Sequence, residues 1–342
     1  MPAKPLFRQQ ELAYRTQYAE LKERALGAGP LLPGTPGSLS LKAGTGHAYW
    51  YRVHYAIPGK RQEDLVCRSD DNDAQTAMQQ RIEFAAWMET QVVLLRKLGF
   101  QVADKRTARV LVELHNQGLF AAGLTMVGTL AYMAWLNELG AVAVTARTQD
   151  LDLARREPLK LAIPSFLETI AATKMPFGKV PGMPSRTPST SVKLPGVEGL
   201  RVDVLAPGKT LGALVKVPEL DWFAQAIPHY DYLLADPQPA AMLAGGHCIP
   251  VKLPQPARIV WHKLYSSTER KGFPEKAAKD RLQAMTLAAA LIGHDSGALK
   301  LAFDEAPDKI TLRAATLKKA IAADLDAHPE TAESILTCLD GA

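Results

Sequence analysis

The sequence predicts an α+β fold built from three successive parts. Its length of 342 residues suggests two or three domains. Strand-forming segments follow a short first helix and recur in the middle of the chain, whereas apolar residues recur at helical spacing from residue 256 onward. We therefore expect a helix and β-meander at 1–72, a mixed sheet with flanking helices at 73–254, and a helical domain at 255–342.

The composition is that of a folded protein with a mildly basic surface. Apolar residues make up 47% of the chain and charged residues 22%, so a full core is expected and disorder is not. The formal net charge is +5 and the pI is near 9.0. This balance suits an anionic substrate such as a nucleotide or RNA, but it is equally typical of an ordinary soluble protein.

The cysteines and the apolar runs indicate a cytoplasmic protein without a membrane partner. Cys67, Cys248 and Cys338 are far apart and form no C-x-x-C motif, so the sequence predicts no disulfide framework and favours a reducing compartment. The longest apolar run, residues 284–293, is about half the length of a membrane-spanning helix.

The N-terminal part reads as a helix followed by a small antiparallel sheet. A helix is predicted over 8–26, a Gly/Pro-rich break over 27–37, and strands over 38–67. The sheet contains aromatic and cationic residues in the combination that RNA-binding surfaces use: Tyr49, Trp50, Tyr51, Tyr55, Arg52, Lys60 and Arg61. Because side chains alternate along a strand, at least half of these rings should be core, and RNA contact stays open.

The remaining elements follow from periodicity and from Gly and Pro. In the central part we predict helices at 74–98, 104–117, 129–139 and 163–173, strands at 121–127, 200–205, 232–235 and 248–253, and one long strand or a strand pair at 141–153. Gly99 is expected to end the first of these helices. In the C-terminal part we predict helices at 257–267, 275–292, 297–304, 311–323 and 329–339.

A D-x-D pair is the first candidate site. Asp150 and Asp152 should share one face of their strand, while Leu151 and Leu153 point into the core. Two carboxylates on one face can bind one or two magnesium ions through oxygen ligands. The motif is common, and an exposed strand end is the alternative interpretation.

Two further features extend this candidate site. A short apolar strand runs into Gly128, and Thr129 can cap the helix that follows, so that amides and a hydroxyl meet phosphate oxygens. Asp203 lies between Val202 and Val204, which should place its carboxylate on the polar face of a later strand. Each feature alone also has a purely structural explanation.

The order of these features resembles the DNA polymerase β-like nucleotidyltransferase superfamily over about residues 120–255. That order is strand–Gly–Thr–helix, then a strand with D-x-D, then a strand with Asp. The tail is similar to bacterial nucleotidyltransferase-like proteins related to AbiEii-type toxins, because Pro256-Ala257-Arg258 is followed by His262-Lys263-Leu264 and then by Lys279-Asp280. The spacing between Gly128 and the D-x-D pair is longer than in the smallest superfamily members.

This resemblance implies a nucleotidyltransferase-type mixed sheet and a role for each matched residue. Gly128 and Thr129 would hold the triphosphate. Asp150, Asp152 and Asp203 would bind Mg²⁺ or Mn²⁺, with Asp203 also helping to deprotonate the acceptor. Lys263 would neutralise phosphate charge, and Asp280 would orient either this lysine or the metal-bound water. Apart from the resemblance, the loop over 174–193 is rich in Pro, Gly, Ser and Thr, and if it lies over the nucleotide its Arg186 would reach phosphate. A solvent-facing side chain is the alternative for Lys263 and for Arg186, and His262 beside Lys263 would reach the base or a phosphate unless it is simply packed.

The expected reaction is transfer of a nucleoside monophosphate from an NTP to a hydroxyl. The resemblance implies RNA such as tRNA or a protein as the acceptor, and a cognate antitoxin if the protein is a toxin. Two alternatives stay open, namely a non-catalytic nucleotide- or RNA-binding module and a transferase that modifies small, antibiotic-type molecules.

Overall fold

The computed structural model describes residues 5–44, 46–57, 59–144, 147–160 and 164–341. The strands are β1 Phe7–Gln9, β2 Ser38–Ala43, β3 Ala48–Ile57, β4 Lys60–Arg68, β5 Thr125–Val127, β6 Ala141–Ala143, β7 Asp150–Ala154, β8 Gly178–Lys179, β9 Ser191–Lys193, β10 Arg201–Pro207, β11 Leu214–Val217, β12 Trp222–Ile227, β13 Gln238–Ala244 and β14 His247–Leu253. The α-helices are α1 Leu12–Gly27, α2 Asn72–Lys97, α3 Lys105–Asn116, α4 Leu119–Ala122, α5 Gly128–Glu138, α6 Phe166–Ala172, α7 Tyr230–Leu233, α8 Pro256–Glu269, α9 Pro274–Ile292, α10 Ala298–Asp304, α11 Asp308–Ala315, α12 Lys318–Asp324 and α13 Pro329–Asp340.

The expected α+β class is confirmed, with strands towards the N-terminus and helices towards the C-terminus. The central sheet has the strand order β11-β12-β10-β7-β5. Strand β10 runs parallel to β7 and β12, whereas β5 and β11 are antiparallel to their neighbours. Strand β9 pairs with the first half of β10, on the side where β12 pairs with the second half. The sheet is therefore mixed, and β10 is its central strand.

The N-terminal sheet is the antiparallel meander β2-β3-β4. The prediction that at least half of its aromatic rings are core is wrong, because Tyr49, Trp50 and Tyr51 are half-buried and Tyr55 is 49% exposed. The buried face of β3 instead carries Arg52 and His54, each only 2% exposed. Arg52 donates to the carbonyls of Pro33, Thr35 and Pro36. Arg52 is thus occupied in holding the preceding loop and is not part of an open cationic surface.

Several predicted elements differ from the structure. Residues 121–127 are not one strand, because α4 occupies the start and a turn at Gly123 precedes β5. Residues 232–235 form the end of α7 and a turn. The predicted segment 141–153 is two strands in different sheets, β6 and β7, with 145 and 146 outside the described residues. The helix predicted from 163 begins at Phe166, after a capping box at Ser165, and 163 itself is not described.

Other elements were divided or missed. The helix predicted at 311–323 is divided into α11 and α12. Strands β11, β12 and β13 were not predicted. For β13 a usable motif was present, since Gly245-Gly246 forms the two-residue hairpin turn into β14. Gly99 has a φ of +96° and ends α2 as expected.

The C-terminal helices pack directly on the central part. Trp261 of α8 is fully buried, and its indole N–H donates to the Leu299 carbonyl over 2.9 Å. Trp135 of α5 donates to the Pro254 carbonyl, which holds the start of α8 against the helix that follows Gly128. None of the helices in the described ranges has the length and apolarity needed to cross a membrane.

Candidate active site

The carboxylates of Asp152 and Asp203 lie side by side on neighbouring parallel strands. The β7–β10 register pairs Asp152 with Asp203 and Asp150 with Arg201. The residues that alternate with them, Leu151, Leu153, Val202 and Val204, are buried. The structure thus brings Asp150, Asp152 and Asp203 to one face of the sheet, as strand alternation requires.

The surroundings of the three carboxylates differ. Asp203 is buried, and its Oδ1 accepts hydrogen bonds from the Ser191 hydroxyl and from Arg201 Nε, the latter over 2.9 Å. Arg201 also donates to the Ser191 hydroxyl over 2.8 Å. Burial raises the pKa of Asp203 above its ordinary value despite these hydrogen bonds. Asp203 is therefore fixed in position by two partners.

The ionised form of Asp152 is unfavourable in its surroundings. Burial, followed by the charges of Asp203 and Asp150, raises the pKa of Asp152 to about 7, although Lys263 and Arg201 oppose the shift. Asp150 is exposed at the start of β7. A cation at this face would relieve the repulsion.

Gly128 lies against the Asp152 carboxylate. It follows β5, whose Val127 pairs with Asp152, and it has a φ of +71°. A methyl group on Gly128 would lie 2.1 Å from Asp152 Oδ2. Glycine is therefore required both by the backbone conformation and by the close approach of the carboxylate.

Two predicted nucleotide contacts fit the structure less well. Helix α5 begins at Gly128 with Val127 at the N-cap position and without a side-chain cap, so the predicted capping role of Thr129 is wrong. Thr129 is half-buried in the first helical turn. Arg186 is exposed in the loop between β8 and β9 and is not among the described residues that line the cavity below.

A cavity of about 840 Å³ separates the carboxylates from the C-terminal helices. Gly128, Asp152 and Asp203 contribute to its lining from the sheet, and Lys263 and Asp280 contribute from α8 and α9. The strands and the C-terminal helices therefore form two walls of one space. Arg201, Arg270, Lys276 and Lys309 add further positive charge to the lining.

Lys263 is buried and ion-paired, so the solvent-facing alternative is wrong. It is 8% exposed, and its Nζ donates to Asp280 Oδ1 over 3.0 Å. Arg270 Nε donates to the other oxygen, Asp280 Oδ2, over 2.6 Å. Burial alone would raise the pKa of Asp280, but the ammonium of Lys263 and the guanidinium of Arg270 hold it below its ordinary value. Asp280 thus fixes two cations in the cavity wall.

Sequence reasoning missed four residues of this site: Ser191, Arg201, Tyr230 and Arg270. Arg201 had a usable signal, since it stands two positions before Asp203 on the same strand and must share its face. Ser191 and Arg270 had none, because their contacts depend on the β9–β10 pairing and on the α8–α9 turn. Tyr230 lines the cavity from α7, which the sequence did not predict.

The donor set suits a hard divalent cation. Carboxylate oxygens are the ligands that Mg²⁺ and Mn²⁺ prefer. Such an ion would neutralise the negative charges of Asp203 and Asp150, which together with burial, the larger cause, raise the pKa of Asp152. Within the described residues, however, no group of three or more His, Cys, Asp or Glu side chains is arranged to hold a metal ion. To bind such an ion, the side chains of Asp150 and Asp152 would have to move so that their oxygens surround it. Asp203 would contribute Oδ2, because its Oδ1 accepts hydrogen bonds from Ser191 and Arg201.

Comparison with known protein families identifies a match over the central part of the chain. The model of a family described as nucleotidyltransferase matches residues 105–308, which is more than half of the chain. The matched region includes Gly128, both strands that carry the carboxylates, and Lys263 with Asp280. No curated protein and no solved structure matches the chain.

Proposed function

The chain belongs to the nucleotidyltransferase family whose model it matches, and from this premise we propose that it transfers a nucleoside monophosphate from an NTP to a hydroxyl group in a metal-dependent reaction. One observation carries the proposal. The paired carboxylates of Asp152 and Asp203 face a cavity whose other wall presents Lys263 and Arg270. Such a space suits a ligand with a polyanionic part and a bound cation.

The two walls have complementary roles in this proposal. Asp150, Asp152 and Asp203 hold Mg²⁺ or Mn²⁺, which when bound neutralises phosphate charge and orients the triphosphate. Lys263 and Arg270 contact phosphate oxygens, and Asp280 keeps both cations directed at the cavity. Gly128 and the first amides of α5 lie beside Asp152, where a phosphate can approach the backbone.

Chemistry would occur at the α-phosphate. The oxygen of the acceptor hydroxyl attacks phosphorus in line, the bond to pyrophosphate breaks, and the hydroxyl proton passes to a carboxylate. Asp203 suits this last role through Oδ2, because Arg201 and Ser191 engage its Oδ1 and fix its orientation. Placement and charge neutralisation are the main contributions of the protein.

The acceptor and the biological role are further parts of the proposal. RNA such as tRNA, or a protein, is the proposed acceptor, and a toxin-like role with a cognate antitoxin follows from the resemblance of the tail. The three cysteines are free, which accords with the proposed cytoplasmic location. We also propose the division into 1–72, 73–254 and 255–342, with the nucleotide between the last two units.

The test is transfer of label. The protein is incubated with each α-labelled NTP, Mg²⁺ or Mn²⁺, and total RNA or a cell extract, and the labelled product is then identified. We expect label on one class of acceptor with the parent protein and none with Asp152→Asn. Tight binding of NTP without any transfer would instead favour the non-catalytic binding module, and label on small molecules alone would favour the antibiotic-type transferase.

A further inference from the structure

One part of the cavity wall is built from rings and aliphatic side chains. The segment that ends β12 and forms α7 contributes Ile227, Pro228, Tyr230 and Leu233. Helix α8 contributes Ile259, His262, Tyr265 and Ser266, which recur at helical spacing on the face that also carries Lys263. The ring centroids of Tyr230 and His262 lie 5.2 Å apart, and the ring centroids of His262 and Tyr265 lie 6.0 Å apart. We call these cavity-lining side chains the ring wall.

His262 contributes a buried polar nitrogen to the ring wall. It is 8% exposed, and its Nε2 is buried without a hydrogen bond among the described residues, although the Pro228 carbonyl is near the ring. Its Nδ1 faces the Ser266 hydroxyl at 3.4 Å. A buried polar nitrogen without a partner is costly, so it marks a position where a ligand group is expected.

The imidazole of His262 is also uncharged, and in that form it can both donate and accept a hydrogen bond. Burial and the neighbouring Lys263 ammonium lower the pKa of His262 to about 4, so the ring is neutral at pH 7. A neutral imidazole presents one donor and one acceptor nitrogen, unlike the charged ammonium of Lys263 next to it, which presents donors only. Two successive residues of α8 therefore offer different chemistry to the same cavity.

We infer that the ring wall holds the nucleobase of the NTP and that His262 selects among bases through a hydrogen bond to the base edge. This inference rests on the proposed function. A nucleobase has apolar faces and a polar edge, which matches rings around one unsatisfied nitrogen. The phosphates attached to the same ligand carry the charge that Lys263 and Arg270 match. The base of the nucleotide would thus contact the ring wall, and its phosphates would contact Lys263 and Arg270.

The test separates the base from the phosphates. Calorimetry in Mg²⁺ compares the four NTPs with inorganic tripolyphosphate, which has the anionic chain but no nucleoside. We expect His262→Phe to weaken the best NTP about tenfold, as loss of one hydrogen bond to a buried group implies, and to leave tripolyphosphate unchanged. His262→Gln, which keeps a donor and an acceptor, should recover part of the loss. The preference among the four bases should shrink in His262→Phe.

His247→Phe is the matched control, because His247 also has a buried Nδ1 without a partner but lies outside this cavity. It should bind all five ligands like the parent. If His262→Phe binds the NTPs as the parent does, the inference is overturned but the proposed function is not. The ring wall would then be a surface that contacts the acceptor. Equal losses for NTP and tripolyphosphate also overturn it, since His262 then acts on the phosphates or on the fold. A parent protein that binds no NTP overturns the proposed function together with the inference.

Discussion

Gly128 and Asp152 approach so closely that no side chain fits between them. A methyl group on Gly128 would lie 2.1 Å from Asp152 Oδ2, and the backbone there has a φ of +71°. The strand-to-helix turn and the Asp152 carboxylate are therefore one structural unit. Displacing either residue should displace the other.

Gly128→Ala should reduce both stability and activity. The positive φ and the clash should together lower the free energy of unfolding by about 2–3 kcal/mol, and transfer should fall severely because Asp152 must move. Gly118→Ala is the control, since Gly118 has a φ of +75° but nothing within 4 Å of an added methyl group. Denaturant unfolding and transfer rates measure both effects. Equal effects of the two substitutions would mean that the clash with Asp152 is unimportant.

Asp152→Asn should abolish Mg²⁺-dependent NTP binding and make the metal-free protein no less stable. The folded-state pKa of about 7 exceeds the ordinary value of 3.8, so ionising this carboxyl costs stability progressively as pH rises through that window. The gain in stability of Asp152→Asn over the parent should therefore be absent near pH 4 and should reach its full size above pH 7. Thermal melts in a chelator at pH 5 and pH 8 measure it. An early-melting variant at pH 8 would identify Asp152 as structural.

Lys263→Ala should weaken binding of NTP far more than binding of the corresponding monophosphate. Only the triphosphate has the distal phosphates that Lys263 is proposed to contact, and KM should rise more than kcat falls. The variant should also lose about 1–3 kcal/mol of stability, because Asp280 is buried and, among the described residues, would keep only its hydrogen bond from Arg270. Calorimetry with both ligands and unfolding curves test the two parts. Equal losses for both nucleotides would place Lys263 elsewhere in the cleft.

The parent protein should lose stability in mild acid through His262. Burial, followed by Lys263, lowers the pKa of His262 from 6.5 to about 4, so the unfolded chain binds the proton more readily between these values. The stabilisation that depends on neutral His262 should then be fully present above about pH 6.5 and should be lost as the pH falls towards 4. Unfolding midpoints at pH 7 and pH 4.5 should differ less in His262→Phe than in the parent. A parallel pH profile for both proteins would contradict this assignment.

Local pattern was sufficient to predict the carboxylate face but not the surroundings of the carboxylates. Strand alternation placed Asp150 and Asp152 together, and the valines beside Asp203 placed it on the same face. The Ser191 and Arg201 contacts to Asp203 depend on β9 pairing with one half of β10, which no local pattern encodes. The burial of Lys263 likewise arises from α9, which brings Asp280 to it across a turn.

The order in which the site is completed follows from the Lys263–Asp280 pair. On a growing chain, Gly128 and all three carboxylates are in place once β10 has been synthesised, and at that moment they have no cationic wall opposite them. The wall needs α8 and then α9, since Asp280 lies 77 residues after Asp203 in the sequence. Nascent or truncated chains that end before residue 263 would therefore carry the acidic half of the site without Lys263 and Arg270, and chains that end just before residue 280 would have both cations but not the carboxylate that pairs with them. Competence to hold a polyphosphate thus arises late in synthesis.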